Sequence, residues 1–159
     1  MPEPVTAPGP AWSRSVERRL AIQAGKDTPI SDVPYIVLVT GGRDWVDRAD
    51  RLRLVHVALA AISPRPDIIV VGGDDRDYPN GVDAAAYRWA LESGIQPAVC
   101  PANWTYWKRA AGPIRNGAML LLRPHLVLAF PGGKGTQDMV MRATAAGVPV
   151  RRLQCEEPT

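Results

Sequence analysis

Hydrophobic positions along the chain follow two alternating spacings. Tyr35–Thr40 (YIVLVT) is a short, continuous apolar run rich in β-branched residues, the pattern of a strand buried on both faces. Gly41 and Gly42 end it. Leu52, Val55, Leu59 and Ile62 then recur at helical intervals, which predicts a helix from about Val46 to Ile62, stopped by Pro64 and Pro66. A second strand is expected at Ile68–Val71, running into Gly72-Gly73. Beyond an acidic, turn-rich loop, Val82–Glu92 reads as a helix closed by Gly94. Gln96–Cys100 predicts a third strand, less apolar and therefore suited to a sheet edge. A long loop then leads to a helix across about Lys108–Leu122. Leu126–Phe130 (LVLAF) is a fourth buried strand, broken by Pro131-Gly132-Gly133. Thr136 is expected to cap a helix that ends at Ala146 and Gly147, and Val148–Arg151 supplies a fifth strand.

The order β-α-β-α-β-α-β-α-β resolves physically as an α/β, Rossmann-like parallel five-stranded sheet with right-handed crossovers and helices on both faces. One domain over residues 34–153 is expected, with a Pro-rich mobile extension at 1–33 and a short tail at 154–159. The extension holds Pro2, Pro4, Pro8, Pro10 and Pro29, and Arg14–Ala24 is the place in it for a short helix.

Composition narrows the class. The chain's 159 residues suffice for a core, and 46% apolar with 22% charged is ordinary for a globular protein. No apolar stretch approaches the roughly 18 residues of a membrane span. The N-terminus has no basic start followed by an apolar run of about 7–15 residues. A cytoplasmic protein without membrane contact is the expectation. Cys100 and Cys155 form neither a disulfide framework nor a CxxC metal site, and His56 and His125 lie far apart, so no metal or cofactor is expected. The net charge is +3. Residues 1–33 carry four groups of each sign, so the excess belongs to the remaining 15 basic against 12 acidic residues. That balance suits a phosphate ligand and does not by itself indicate nucleic acid.

In such a fold, ligands bind beyond the carboxyl ends of the strands, where strand order reverses. With order 3-2-1-4-5, the loops after strands 1 and 4 meet at that point. Pro131-Gly132-Gly133-Lys134-Gly135-Thr136 leads into a helix N-terminus, where close backbone approach and free N–H groups favour an anion. Lys134 and the Thr136 hydroxyl add a charge and a hydrogen bond. A tight strand-to-helix turn would need fewer glycines. Neither a Walker A loop nor a G-x-G-x-x-G fingerprint is present: Leu128 stands where the first Walker glycine belongs, and Gly135 follows Gly133-Lys134. After strand 1, Gly41-Gly42-Arg43-Asp44-Trp45 offers Arg43 for a phosphate, Asp44 for a ribose hydroxyl and Trp45 for a base. Asp44 can equally cap the next helix with Trp45 packed on its first turn. After strand 2, Gly72-Gly73 opens the loop Asp74–Asn80, whose spacing does not match a calcium site. Asp83 in the next helix could hold ribose hydroxyls or simply complement the helix dipole. Trp104, Trp107, Lys108 and Arg109 interleave aromatic with basic residues, as single-strand binding would require, although wedging of a loop onto the sheet edge suits them as well. Arg115 and Asn116 follow on the next helix.

At these loops the chain resembles a known family. GGRDW, the helix start Gly81-Val82-Asp83-Ala84, PANW with AAGPIRNGAML, and LAFPGGKGTQDMVMRA are similar to the YspA-type, YpsA-related branch of the SLOG superfamily, over about Tyr35–Val150. That superfamily is Rossmann-like. It includes cytokinin-activating phosphoribohydrolases, the DNA-processing protein DprA, and domains regarded as sensors of nucleotide-derived signals. The resemblance implies that the loop at 132–135 cradles a phosphate while Arg43, Asp83, Arg115 and Thr136 line the pocket, and that the protein forms a homodimer or larger homo-oligomer. Two departures stand out. Met139 occupies the position of the phosphoribohydrolases' catalytic glutamate, with Asp138 one place early, about 100° around a helix. The loop Asp74–Asn80 is also longer and more acidic than the family's short turn.

The ligand-binding set expected is therefore Gly41, Gly42, Arg43, Asp44, Gly72, Gly73, Asp83, Arg115, Asn116, Pro131, Gly132, Gly133, Lys134, Gly135 and Thr136. The favoured reading is a sensor or effector domain for a small nucleotide or nucleotide-derived phosphate, in a phage or conflict setting suggested by family analogy alone. The alternatives are an N-glycosidase acting on a nucleoside monophosphate, with Asp138 or Asp83 as acid/base, and a DprA-like binder of single-stranded DNA. The missing glutamate counts against hydrolysis, and modest charge and the lack of a second domain count against DNA binding.

Overall fold

The computed structural model describes residues 33–44 and 49–154. Most of the Pro-rich extension with its expected short helix, Trp45, the helix start expected at Val46 and the tail beyond Gln154 lie outside the described residues. The elements in chain order are β1 (Ile36–Thr40), α1 (Ala49–Ala60), β2 (Ile68–Val71), α2 (Val82–Glu92), β3 (Gln96–Val99), the single turn α3 (Trp104–Trp107), α4 (Ala111–Leu120), β4 (Leu126–Ala129), α5 (Lys134–Ala145) and β5 (Val150–Arg152). A short 3-10 turn, Lys108–Ala110, joins α3 to α4.

The sheet is α/β and wholly parallel, in the expected order β3-β2-β1-β4-β5. β1 is central: Leu38 pairs with Val70 of β2 on one side and with Val127 of β4 on the other. Alternation along each strand sends successive side chains to opposite faces. Val37, Val39, Ile69, Val71 and Leu128 join Val55 and Leu59 of α1 and Ala85, Ala86 and Ala90 of α2 in one buried cluster. Ile36, Leu38, Val70 and Val127 meet Met119 of α4 and Met139 and Ala143 of α5 in the other. Helices cover both faces because both faces of every inner strand are apolar. Deleting a side chain from either layer, Leu59→Ala for example, costs about 2–5 kcal/mol.

Most boundaries fall within a residue or two of the expectation, and β3 is an edge strand as its composition suggested. Gly94 and Gly147 hold φ of 69° and 76° just past α2 and α5, the left-handed turn that ends a helix. Two expectations are corrected. The helix expected over Lys108–Leu122 opens instead as the 3-10 turn Lys108–Ala110, with Lys108 at φ 54°, and the long loop expected ahead of it holds α3, which Asn103 caps by accepting from the Tyr106 N–H at 3.0 Å. α4 then starts at Ala111, so Pro113 falls in its first turn, where no N–H is needed. Thr136 is not the cap of α5. Gly133 is, without a side-chain hydrogen bond, and the helix begins at Lys134. The Thr136 side chain is instead buried against Gly132, which leaves no freedom to reach back to the helix end.

Candidate functional site

The parallel sheet delivers the ends of β1, β2, β3 and β4 to one edge, and their loops are stitched to each other. The Gly42 N–H donates to the Pro131 carbonyl at 2.9 Å, and the Gly42 carbonyl accepts from the Val82 N–H at 2.9 Å. Several glycines serve this packing. A side chain at Gly81 would stand 2.8 Å from the Arg43 carbonyl oxygen, and one at Gly132 would stand 2.8 Å from the Gly42 nitrogen. Only residues without Cβ let these backbones touch. Gly133 and Gly135 differ, because the space where their side chains would stand is open.

Beside this seam lies a cavity of about 150 Å³, lined by Gly42, Arg43, Gly72, Gly73, Asp83 and Arg115, and walled further by Asp74, Tyr78 and Trp104. Arg115 reaches it from the second turn of α4, donating from Nη1 to the Gly72 carbonyl at 3.1 Å. A side chain at Gly72 would occupy the space of that guanidinium, so the glycine admits the arginine. Asp83 stands in the first turn of α2, facing Arg115 and Arg43. Burial pushes its carboxyl up to about 6, although Arg115, Arg43 and a Gly72 backbone hydrogen bond all pull it down. Burial also lowers the Arg115 guanidinium from its ordinary value, against the attraction of Asp83. The Cys100 thiol nearby is buried and raised to about 12, so it is no nucleophile at neutral pH.

The cavity mouth is aromatic. The Arg43 guanidinium carbon lies 5.0 Å from the Tyr78 ring centroid and 5.4 Å from that of Trp104, over both rings. Trp104 does not wedge the loop into the sheet edge: it is 48% exposed, and Gly112 sits beneath its ring. Trp107 meets Tyr106 edge-on at 4.7 Å. Asp74 is bound to Arg76 by an ion pair, which holds its carboxyl below the usual range and shapes the acidic loop along the wall.

Asn116 connects this cavity to the glycine loop. It is 3% exposed, accepts from Arg115 Nε at 3.0 Å, and donates from Nδ2 to the Gly135 carbonyl at 3.1 Å and to Asp138 at 2.9 Å. Asp138 is also held by Arg142 one turn on, at 2.9 Å. A second hollow of about 170 Å³ is lined by Pro131, Gly132, Thr136, Phe130 and Arg152.

The residues expected at the site therefore divide. Gly42, Arg43, Gly72, Gly73, Asp83 and Arg115 share the first cavity, while Pro131, Gly132 and Thr136 line the second hollow. Gly41 packs on Val82, and Asp44, Gly133, Lys134 and Gly135 are exposed and line neither. Asp138 lines neither, being engaged by Asn116 and Arg142, and Met139, at the glutamate position, is 0% exposed in the core. Tyr78 was not expected at the site. Its aromatic ring within a run of carboxylates was the one signal available, and only folding brings it to Arg43.

No protein-family model and no solved structure matches the chain. In sequence it is similar to the Gene 61 protein of Mycobacterium phage D29, with 36% identity over 124 residues, covering 72% of this chain and 92% of the phage protein. At that identity and coverage, the chain belongs to the family of this phage protein.

Proposed function

We propose that the domain binds a small nucleotide or nucleotide-derived phosphate ligand and acts as a sensor or effector. The observation that carries this reading is the convergence of Arg43, Arg115 and Asp83 on one cavity beyond the strand ends. Two guanidiniums can take a phosphate, and a carboxylate between them can accept from ribose hydroxyls. The start of α5 lies along the same edge, with open space beside Gly133 and Gly135, and a helix N-terminus favours an anion. A cavity of about 150 Å³ suits a phosphate with its sugar better than a polynucleotide, which needs a groove. The motif resemblance to the SLOG superfamily favours a signalling role, and the phage relative favours a phage setting.

Thermal shift with nucleoside monophosphates, cyclic nucleotides, ADP-ribose and NAD tests the proposal. A ligand at about 100 times its Kd stabilises the fold by roughly 2.7 kcal/mol. The shift should vanish in Arg115→Met and shrink in Arg43→Ala. An undiminished shift in both variants would refute this cavity as the site.

One observation favours a second reading, N-glycosidic hydrolysis. An Asp83 carboxyl near 6 is poised to exchange protons close to neutral pH. Release of free base from a bound monophosphate, lost in Asp83→Asn, separates hydrolase from sensor.

A further inference from the structure

We propose that Tyr78 and Trp104 form the nucleobase seat of this cavity and that Arg43 keeps the seat filled until a ligand arrives. The inference rests on the nucleotide reading above and names the part of the ligand that the pocket discriminates. Tyr78 comes from the loop before α2 and Trp104 from α3, far apart in sequence, yet both ring faces converge on one guanidinium. They are 49% and 48% exposed at the mouth of a cavity, and neither belongs to a core cluster. Such rings contribute little to folding, so their placement has another cause.

The chemistry of the seat is selective. An aromatic face is electron-rich and repels phosphate, but it accepts a flat heterocycle or a cation. Asp77 on the same wall reinforces that polarity, while the charge of Asp74 is balanced by Arg76 beside it. The ligand is thus oriented with its phosphate toward Arg115 and its base toward Tyr78 and Trp104. The planar Arg43 guanidinium stands where the base would stack. A base that stacks there must displace Arg43 from both rings, whereas the charge of Arg43 at the cavity attracts the phosphate of either ligand.

Titration calorimetry with ribose 5-phosphate and with the purine and pyrimidine nucleoside monophosphates tests this directly. Base stacking predicts that the best monophosphate binds about fivefold to a hundredfold more tightly than ribose 5-phosphate. Tyr78→Leu and Trp104→Leu should each reduce that ratio toward one, with melting temperatures confirming that the variants fold. Arg115→Met should weaken both ligands and preserve the ratio. Arg43→Ala should weaken ribose 5-phosphate while raising the ratio, because the seat is no longer occupied. Equal wild-type affinities, or a ratio unchanged in both aromatic variants, would overturn the seat and leave the phosphate site standing. A ratio that falls in Arg43→Ala would overturn the displacement of that side chain. Failure of all of these ligands, and of the cyclic nucleotides, ADP-ribose and NAD of the thermal-shift series, to bind would overturn the proposed function together with the seat.

Discussion

Substituting Asp83 by asparagine should change how stability depends on pH, in a direction the structure dictates. Its carboxyl titrates near 6 in the folded protein against 3.8 for an ordinary aspartate, because burial penalises the charge more than Arg115 and Arg43 relieve it. The folded state therefore holds this proton more tightly than the unfolded chain. Between about pH 4 and pH 6 the native state binds the extra proton, so this group's contribution to stability falls as pH rises, and above 6 the loss is complete. A little over two pH units at about 1.4 kcal/mol each sets a ceiling of about 3 kcal/mol. Because Asp83 is only partly buried and lines the open cavity, about half of that, roughly 1.5 kcal/mol, is the working expectation. Asp83→Asn removes the titration and also removes a partner of Arg115, but Arg115 does not titrate in this window. The difference in stability between variant and wild type should therefore shift in the variant's favour by about 1–3 kcal/mol from pH 4 to pH 7.5, whatever its absolute sign. Urea denaturation of both proteins at half-unit pH steps, without ligand, measures it. A difference that stays flat, or that moves toward the wild type, would refute a desolvated Asp83.

Three other outcomes follow from the same packing. Gly81→Ala places a Cβ 2.8 Å from the Arg43 carbonyl, a backbone atom that cannot yield alone, so denaturation should report a loss of about 1–3 kcal/mol. Met139→Glu, which introduces the residue that phosphoribohydrolases carry in the similar motif, would bury an unpaired carboxylate in the core, and circular dichroism should show a protein unfolded or severely destabilised at neutral pH, with no base release. Asn116→Leu leaves Arg115 Nε without its Asn116 acceptor and removes one donor from the Gly135 carbonyl and one from Asp138. It should cost about 2–3 kcal/mol in denaturation and weaken phosphate binding in calorimetry, whereas a stable variant with full affinity would show that Asn116 does not position Arg115.

The architecture was legible in the chain because it depends on local periodicity. Runs such as Ile68–Val71, apolar on both faces, can only be inner parallel strands, and glycines after Glu92 and Ala145 mark where helices end. The candidate cavity was partly legible, since Arg43, Asp83 and Arg115 lie where the loops after three successive strands must gather. Reading the glycines was harder. A glycine that admits a phosphate and one that admits a neighbouring backbone look the same in sequence, and only the packed loops separate Gly81 and Gly132 from Gly133 and Gly135.

Helix phase was likewise decided by packing. Asp138 and Met139 are adjacent in the chain, but α5 turns the first toward Asn116 and Arg142 and the second into the core, a division set by which face the sheet covers. The meeting of Tyr78 and Trp104 over Arg43 depended wholly on tertiary structure. The chain alone determined a five-stranded parallel sheet and the edge at which its loops collect, because side-chain period and turn chemistry act over a few residues. Which side chains face one another across that edge depends on contacts between segments tens of residues apart, and those exist only once the sheet has brought the strand ends together.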